Sequence, residues 1–170
     1  MIKIILGIGV LLLIGILFFW KKKNPILEIN PTQEIDKQYN WKIEKEKFKT
    51  EFLKLLTDKP DLKYLVIDFN DYYIQFMGFP ENQELYCECV SNEFLDEKEN
   101  LNQEKIDNIL KLNFRKPNEK DTEGNSSPNY SKYYKADKNS DFKEIYNELI
   151  YLMTKVYGIE NDEIIKIRFD

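Results

Sequence analysis

The sequence contains no histidine. This removes the side chain that most often acts as a general base near neutral pH and most often ligates transition metals. Ser-His-Asp and Cys-His catalysis cannot be assembled from this chain alone. Only two cysteines are present, Cys87 and Cys89, too few for a disulfide framework. Glycine is scarce, with six in 170 residues. Gly78 and Gly124 belong to no Walker or dinucleotide pattern. Basic charge is also short: 25 Lys and Arg against 30 Asp and Glu leave a net charge of −5. A general nucleic-acid binder carries a basic face, so nucleic acid is not an expected partner. No internal repeat is visible.

What is present is enough apolar side chain to build a core: 42% hydrophobic and 14% aromatic residues. The length suits one domain plus a short extra segment. That segment is at the start. Ile4 to Trp20 is free of charge and strongly polar groups, and at about 1.5 Å per residue it nearly crosses a ~30 Å hydrocarbon core. A cleaved secretory signal would end in small residues. Leu17-Phe18-Phe19-Trp20 is bulky instead, so residues 2–20 are expected to stay as a membrane span. Lys21, Lys22 and Lys23 outweigh Lys3 and the α-amino group. By the positive-inside rule this places the following domain in the cytoplasm as part of a single-pass membrane protein.

Residues 1–23 thus read as an anchor with a basic stop. Residues 24–40, with Pro25 and Pro31, read as a tether, and 41–170 as the folded domain. Phe48, Phe52, Leu55 and Leu56 share a helix face within Trp41 to Thr57. Leu62 to Phe69 is apolar and β-branched, and Asn70-Asp71 suits a tight hairpin. Tyr72 to Met77 and Leu85 to Val90 alternate with period two around a Phe-Pro-Glu-Asn turn. Three strands with short connections predict an antiparallel meander. Ser91 to Leu95 looks like a capped helix start. Asn102 to Leu112 and Asp141 to Tyr157 are amphipathic helices, the second capped by Ser140 or Asp141 and stopped by Gly158. Lys116 to Ser140 reads as a long polar loop, and Glu163 to Phe169 as a short final strand. The fold class is α+β, with the meander packed against helices behind an N-terminal transmembrane helix.

Three constellations deserve weighing. Cys87 and Cys89 share one strand face, the geometry of a soft-metal or redox pair, but two thiols without further ligands do not complete a zinc site. With Leu85 on the same face they read as core. Asp68, Asp71 and Glu81 near strand ends are candidate metal or hydrolytic carboxylates, yet Asn-Asp is what a hairpin wants anyway. Tyr130, Tyr133 and Tyr134 with Lys132 and Lys135 suggest a stacking surface for nucleic acid or peptide. The plainer reading, loop tyrosines folded back onto the domain, is adopted.

One resemblance sharpens this reading. Tyr73-Ile74-Gln75-Phe76 is followed by a Gly-Phe-Pro-Glu-Asn turn and by Glu88-Cys89-Val90-Ser91-Asn92-Glu93-Phe94-Leu95. Further on come Leu110 to Pro117, Asn129-Tyr130 and Val156-Tyr157-Gly158. Over about Trp41 to Phe169 this order resembles the YbjN-like and type III secretion chaperone-like superfamily. Asn113 stands where that family's pattern has Gly, and a membrane anchor is not typical of a secretion chaperone. The resemblance implies binding rather than chemistry, without catalytic residues, metal or cofactor. The implied partner is a protein or extended peptide segment. Members of the superfamily can pair as dimers, so a homodimer is an open expectation. Tyr72, Ile74, Phe76, Tyr86 and Val90 are assigned to one sheet face and named as the partner-binding residues, with the sequence leaving open which of the two faces packs on the helices and which binds. Tyr73, Met77, Leu85, Cys87 and Cys89 are assigned to the other. Two alternatives stay open: a scaffold or regulatory subunit of a membrane complex, and a carboxylate-dependent metal hydrolase.

Overall fold

Asn40 sets where the first helix begins. Its side-chain Oδ1 accepts from the backbone N–H of Lys42 (3.1 Å) and Ile43 (3.3 Å), and Glu44 returns a carboxylate to the Asn40 N–H at 3.0 Å. Reciprocal bonding of this kind satisfies donors that a helix start leaves orphaned. The computed structural model describes residues 35–58, 63–78, 84–136, 140 and 142–170. Residues 35–170 belong to one compact unit. The proposed span at 2–20 and most of the tether lie outside the described residues. Among the described residues no helix is long and apolar enough to cross a membrane.

Strand β1 (Ile35–Asn40) runs directly into α1 (Trp41–Asp58), so the expected tether is shorter than 24–40. Next come β2 (Tyr64–Phe69), β3 (Tyr72–Met77) and β4 (Glu84–Cys89), the predicted meander. Single 3-10 turns at Asn92–Phe94 and Glu97–Glu99 replace the helix expected after Ser91. Helix α2 (Gln103–Lys111) is capped by Asn102, whose side chain accepts from Lys105 N–H. Strand β5 (Tyr130–Lys135) lies inside the segment read as loop. Helix α3 (Lys143–Tyr151) widens into a π-helical stretch, Leu152–Tyr157, and Gly158 ends it at φ 75°. Its N-cap residue is Phe142, whose side chain makes no cap bond, and Asp141, one of the two expected caps, lies outside the described residues. Strand β6 (Ile164–Phe169) closes the order.

The architecture is α+β: one antiparallel six-stranded sheet in the order β1-β6-β2-β3-β4-β5, with helices. Sequence predicts β6 but not its place, which is central, between β1 and β2. The helices cover one face. Phe48 meets Tyr39, Phe52 meets Phe76, and Tyr157 meets Phe69 and Tyr72. Three of these ring pairs are edge-on at centroid separations of 5.5–5.9 Å and the Tyr72–Tyr157 pair is tilted at 4.8 Å; such contacts add about 0.5–1.5 kcal/mol each beyond burial. Leu65, Ile67, Ile74, Cys87, Ile165 and Ile167 complete the floor of this core, all fully buried.

Candidate functional site

Strand register decides which side chains share a face. Ile74 lies opposite Cys89, and Phe76 opposite Cys87. Directly opposed residues of an antiparallel pair project to the same side. Tyr72, Ile74 and Phe76 therefore join Leu85, Cys87 and Cys89 beneath the helices. Tyr86, opposite Met77, joins Tyr73 and Gln75 on the outer face. This corrects the expected grouping, which phased β4 the other way relative to β3. The expected binding residues Tyr72, Ile74, Phe76 and Val90 are core, at 6%, 0%, 1% and 1% exposure. Of the five, Tyr86 alone stands on the outer face.

The outer face is a different surface. Tyr64, Gln75, Met77 and Tyr86 are half-buried, and Tyr133 is 43% exposed. The Tyr86 and Tyr133 rings sit opposite each other on β4 and β5, with centroids 4.8 Å apart. The Arg115 guanidinium lies over Tyr133 at 5.1 Å. A polar strip borders this stack. Glu88, almost buried, accepts from Gln75 Nε2 and from the Tyr86 hydroxyl, both at 2.6 Å. Partial burial, and then the bond to Glu88, push the Tyr86 hydroxyl up to about 12, so it remains a donor at neutral pH. The result is an aromatic platform of two mutually tilted rings next to the β5 edge.

The loops that frame the platform are pinned by the residues that carry the family resemblance. Ser91 N–H donates to Asn129 Oδ1 at 3.1 Å, and the Ser91 hydroxyl donates to the Pro128 carbonyl at 2.8 Å. Asn129 Nδ2 donates to the Tyr73 hydroxyl at 2.8 Å. Asn92 grips the backbone of Leu101 twice, accepting its N–H at 2.7 Å and donating to its carbonyl at 3.0 Å. Val-Ser-Asn and Asn129-Tyr130, distant in sequence, therefore meet as a brace. The structure assigns them a positioning role.

The aromatic and basic cluster of β5 divides between faces. Lys132 and Tyr134 lie on the covered side with Tyr130, which is core. Both Lys132 Nζ (2.7 and 2.9 Å) and the Tyr134 hydroxyl (2.7 Å) meet the Glu148 carboxylate of α3. Tyr133 and Lys135 lie on the outer side. Asp68 and Asp71 are held apart by different partners: Asp68 is gripped by Arg168 at 2.6 and 2.9 Å and Asp71 lies 4.0 Å from Lys98, while Glu81 lies outside the described residues. Among the described residues no three His, Cys, Asp or Glu side chains are grouped to hold a metal ion. Cys87 and Cys89 are free thiols within the core. Burial pushes Cys89 up to about 12 and raises Cys87 well above its ordinary value, the opposite of an activated thiolate.

Sequence reasoning missed Arg115 as part of this surface, and local pattern carries no sign of it. It reaches the platform through a single β-bridge to Ser131. Comparisons with family models, with curated proteins and with solved structures returned no match.

Proposed function

We propose that this chain is a non-catalytic, membrane-anchored module that binds an extended segment of a protein partner, of the YbjN-like and secretion chaperone-like kind. The observation that carries the reading is the Tyr86–Tyr133 platform beside the β5 edge. The exposed aromatic surface selects the side chains of an extended segment laid across it, and the short Tyr133–Lys135 stretch of the edge adds backbone groups for its end. The binding residues in this reading are Tyr86, Tyr133, Met77 and Gln75, in place of Tyr72, Ile74, Phe76 and Val90. The apolar run at residues 2–20 supplies the anchor, and Lys21 to Lys23 direct the domain to the cytoplasmic side. No cofactor takes part.

A photo-crosslinking side chain placed at Met77 or Tyr133 of the full-length chain tests this in native membranes. The same group at Ile43, exposed on α1, is the control. A defined adduct from the platform, absent at Ile43 and lost in Tyr86→Asp, is the expected result. Adducts that are equal at all positions, or none at all, would sink the reading.

A further inference from the structure

The β5 edge is already partly occupied. Pairing with β4 alternates inward and outward backbone groups, so those of Ser131, Tyr133 and Lys135 face away from the sheet. At Ser131 both are taken: Arg115 N–H donates to the Ser131 carbonyl at 2.7 Å, and Ser131 N–H donates to the Arg115 carbonyl at 3.2 Å. Among the described residues no backbone group pairs with the outward side of Tyr133 or Lys135.

The segment that makes this bridge clasps the strand from both sides. Phe114 is buried on the covered side, with Lys132 Nζ 5.7 Å from its ring, while Arg115 lies over Tyr133 on the outer side. Asn113 and Asn118, both at φ 63°, turn the chain in and out. Asn118 N–H is tied to the Ser127 carbonyl at 2.6 Å. Asparagine is among the few non-glycine residues that take this left-handed conformation readily.

We propose that residues 113–118 form an edge guard that prevents a second copy of this chain from pairing through β5. The register supplies the reason. An antiparallel twofold pairing centred on Tyr133 sets Ser131 of each copy against Lys135 of the other. Arg115 occupies that side of Ser131, so only the Tyr133 couple remains, too short to hold two sheets together. Lys135 adds a charge at the one stretch left open, a second common protection of edges. The inference does not depend on any partner protein.

The test uses the full-length chain with Arg115→Pro, which removes the N–H given to Ser131 and the cation over Tyr133. Hydrogen exchange at the Ser131 amide should quicken about tenfold or more. Analytical ultracentrifugation should show association beyond that of the parent chain. Adding Tyr133→Pro, which strips the central outward donor, should return the chain to the parent state. Shielding of the Cys87 and Cys89 thiols reports that each variant is folded. If the proline variant unfolds, Asn118→Pro decides, with the same readouts, because it removes the N–H tied to Ser127 and cannot take the φ of 63° that seats the guard. A freed Ser131 amide without new association, association that survives Tyr133→Pro, or unchanged exchange in a folded variant would each overturn the proposal.

Discussion

Cys87 and Cys89 are the residues whose chemistry is most altered by the fold. Both have lost contact with solvent, and the thiolate form is disfavoured there. Ellman's reagent should therefore find no reactive thiol in the native chain and two after denaturation; rapid native labelling would contradict the core placement. The same burial makes stability depend on pH. A thiol whose folded pKa is raised from 9.0 to about 12 keeps its proton longer in the folded state than in the unfolded state. Its contribution is complete below about pH 9 and declines toward 12. The urea midpoint should fall between pH 7.5 and 10.5, and Cys89→Ala should reduce that fall. Asn92 gives a second prediction at this scale. Its side chain closes two bonds to Leu101, and Asn92→Ala leaves both backbone groups without that partner. Loss of about 1–3 kcal/mol is expected from urea titration.

Elements differ in how openly the sequence announces them. Helix α1, the β2-β3-β4 meander and the cap of α2 are legible because their signals are local: one apolar helix face, alternation, a short polar cap. Strands β1 and β5 are not. Tyr-Ser-Lys-Tyr-Tyr-Lys places Lys132 on the covered face, which spoils the alternation. The residue that makes it tolerable, Glu148, belongs to α3. Long-range compensation of this kind leaves no trace in a window of six residues. The facing of β4 was hidden too, since its phase relative to β3 depends on a connection with no period of its own. Tyr86 could be found from sequence, but not that it joins Tyr133 rather than Phe76. The Lys132–Glu148 pair also predicts an asymmetry. Glu148→Ala leaves an ammonium with little water around it and should cost about 1–3 kcal/mol. Replacing both, as Lys132→Met with Glu148→Leu, should recover most of that loss. Equal losses in the single and double variants would show that the carboxylate matters mainly through other contacts.

For the whole molecule, the proposed anchor and the described domain make separable predictions. The full chain should sediment with membranes and resist extraction by high salt and carbonate, and removal of residues 1–23 should release it. If the shortened chain stays membrane-bound, the domain itself holds the bilayer or a resident partner. Cooperativity is expected across the described domain, because the sheet and helices share one continuous core. Hydrogen exchange should be slowest in β2, β3, β4 and β6, which have neighbours on both sides, and faster in the loop that precedes β5.

The central position of β6 bears on synthesis. Among the described strands it is the last to be synthesised, yet β1 has no other described strand to pair with. About 120 residues separate Asn40 from its partner Ile164. At about 5–20 residues per second, β1 waits on the order of ten seconds for that partner. During this interval the nascent sheet presents one flank of β2 and all of β1 to chaperones and proteases. A premature stop between Phe69 and Ile164 would thus leave two unsatisfied strands rather than a slightly shortened protein, and degradation rather than partial activity is the fate to expect of such fragments.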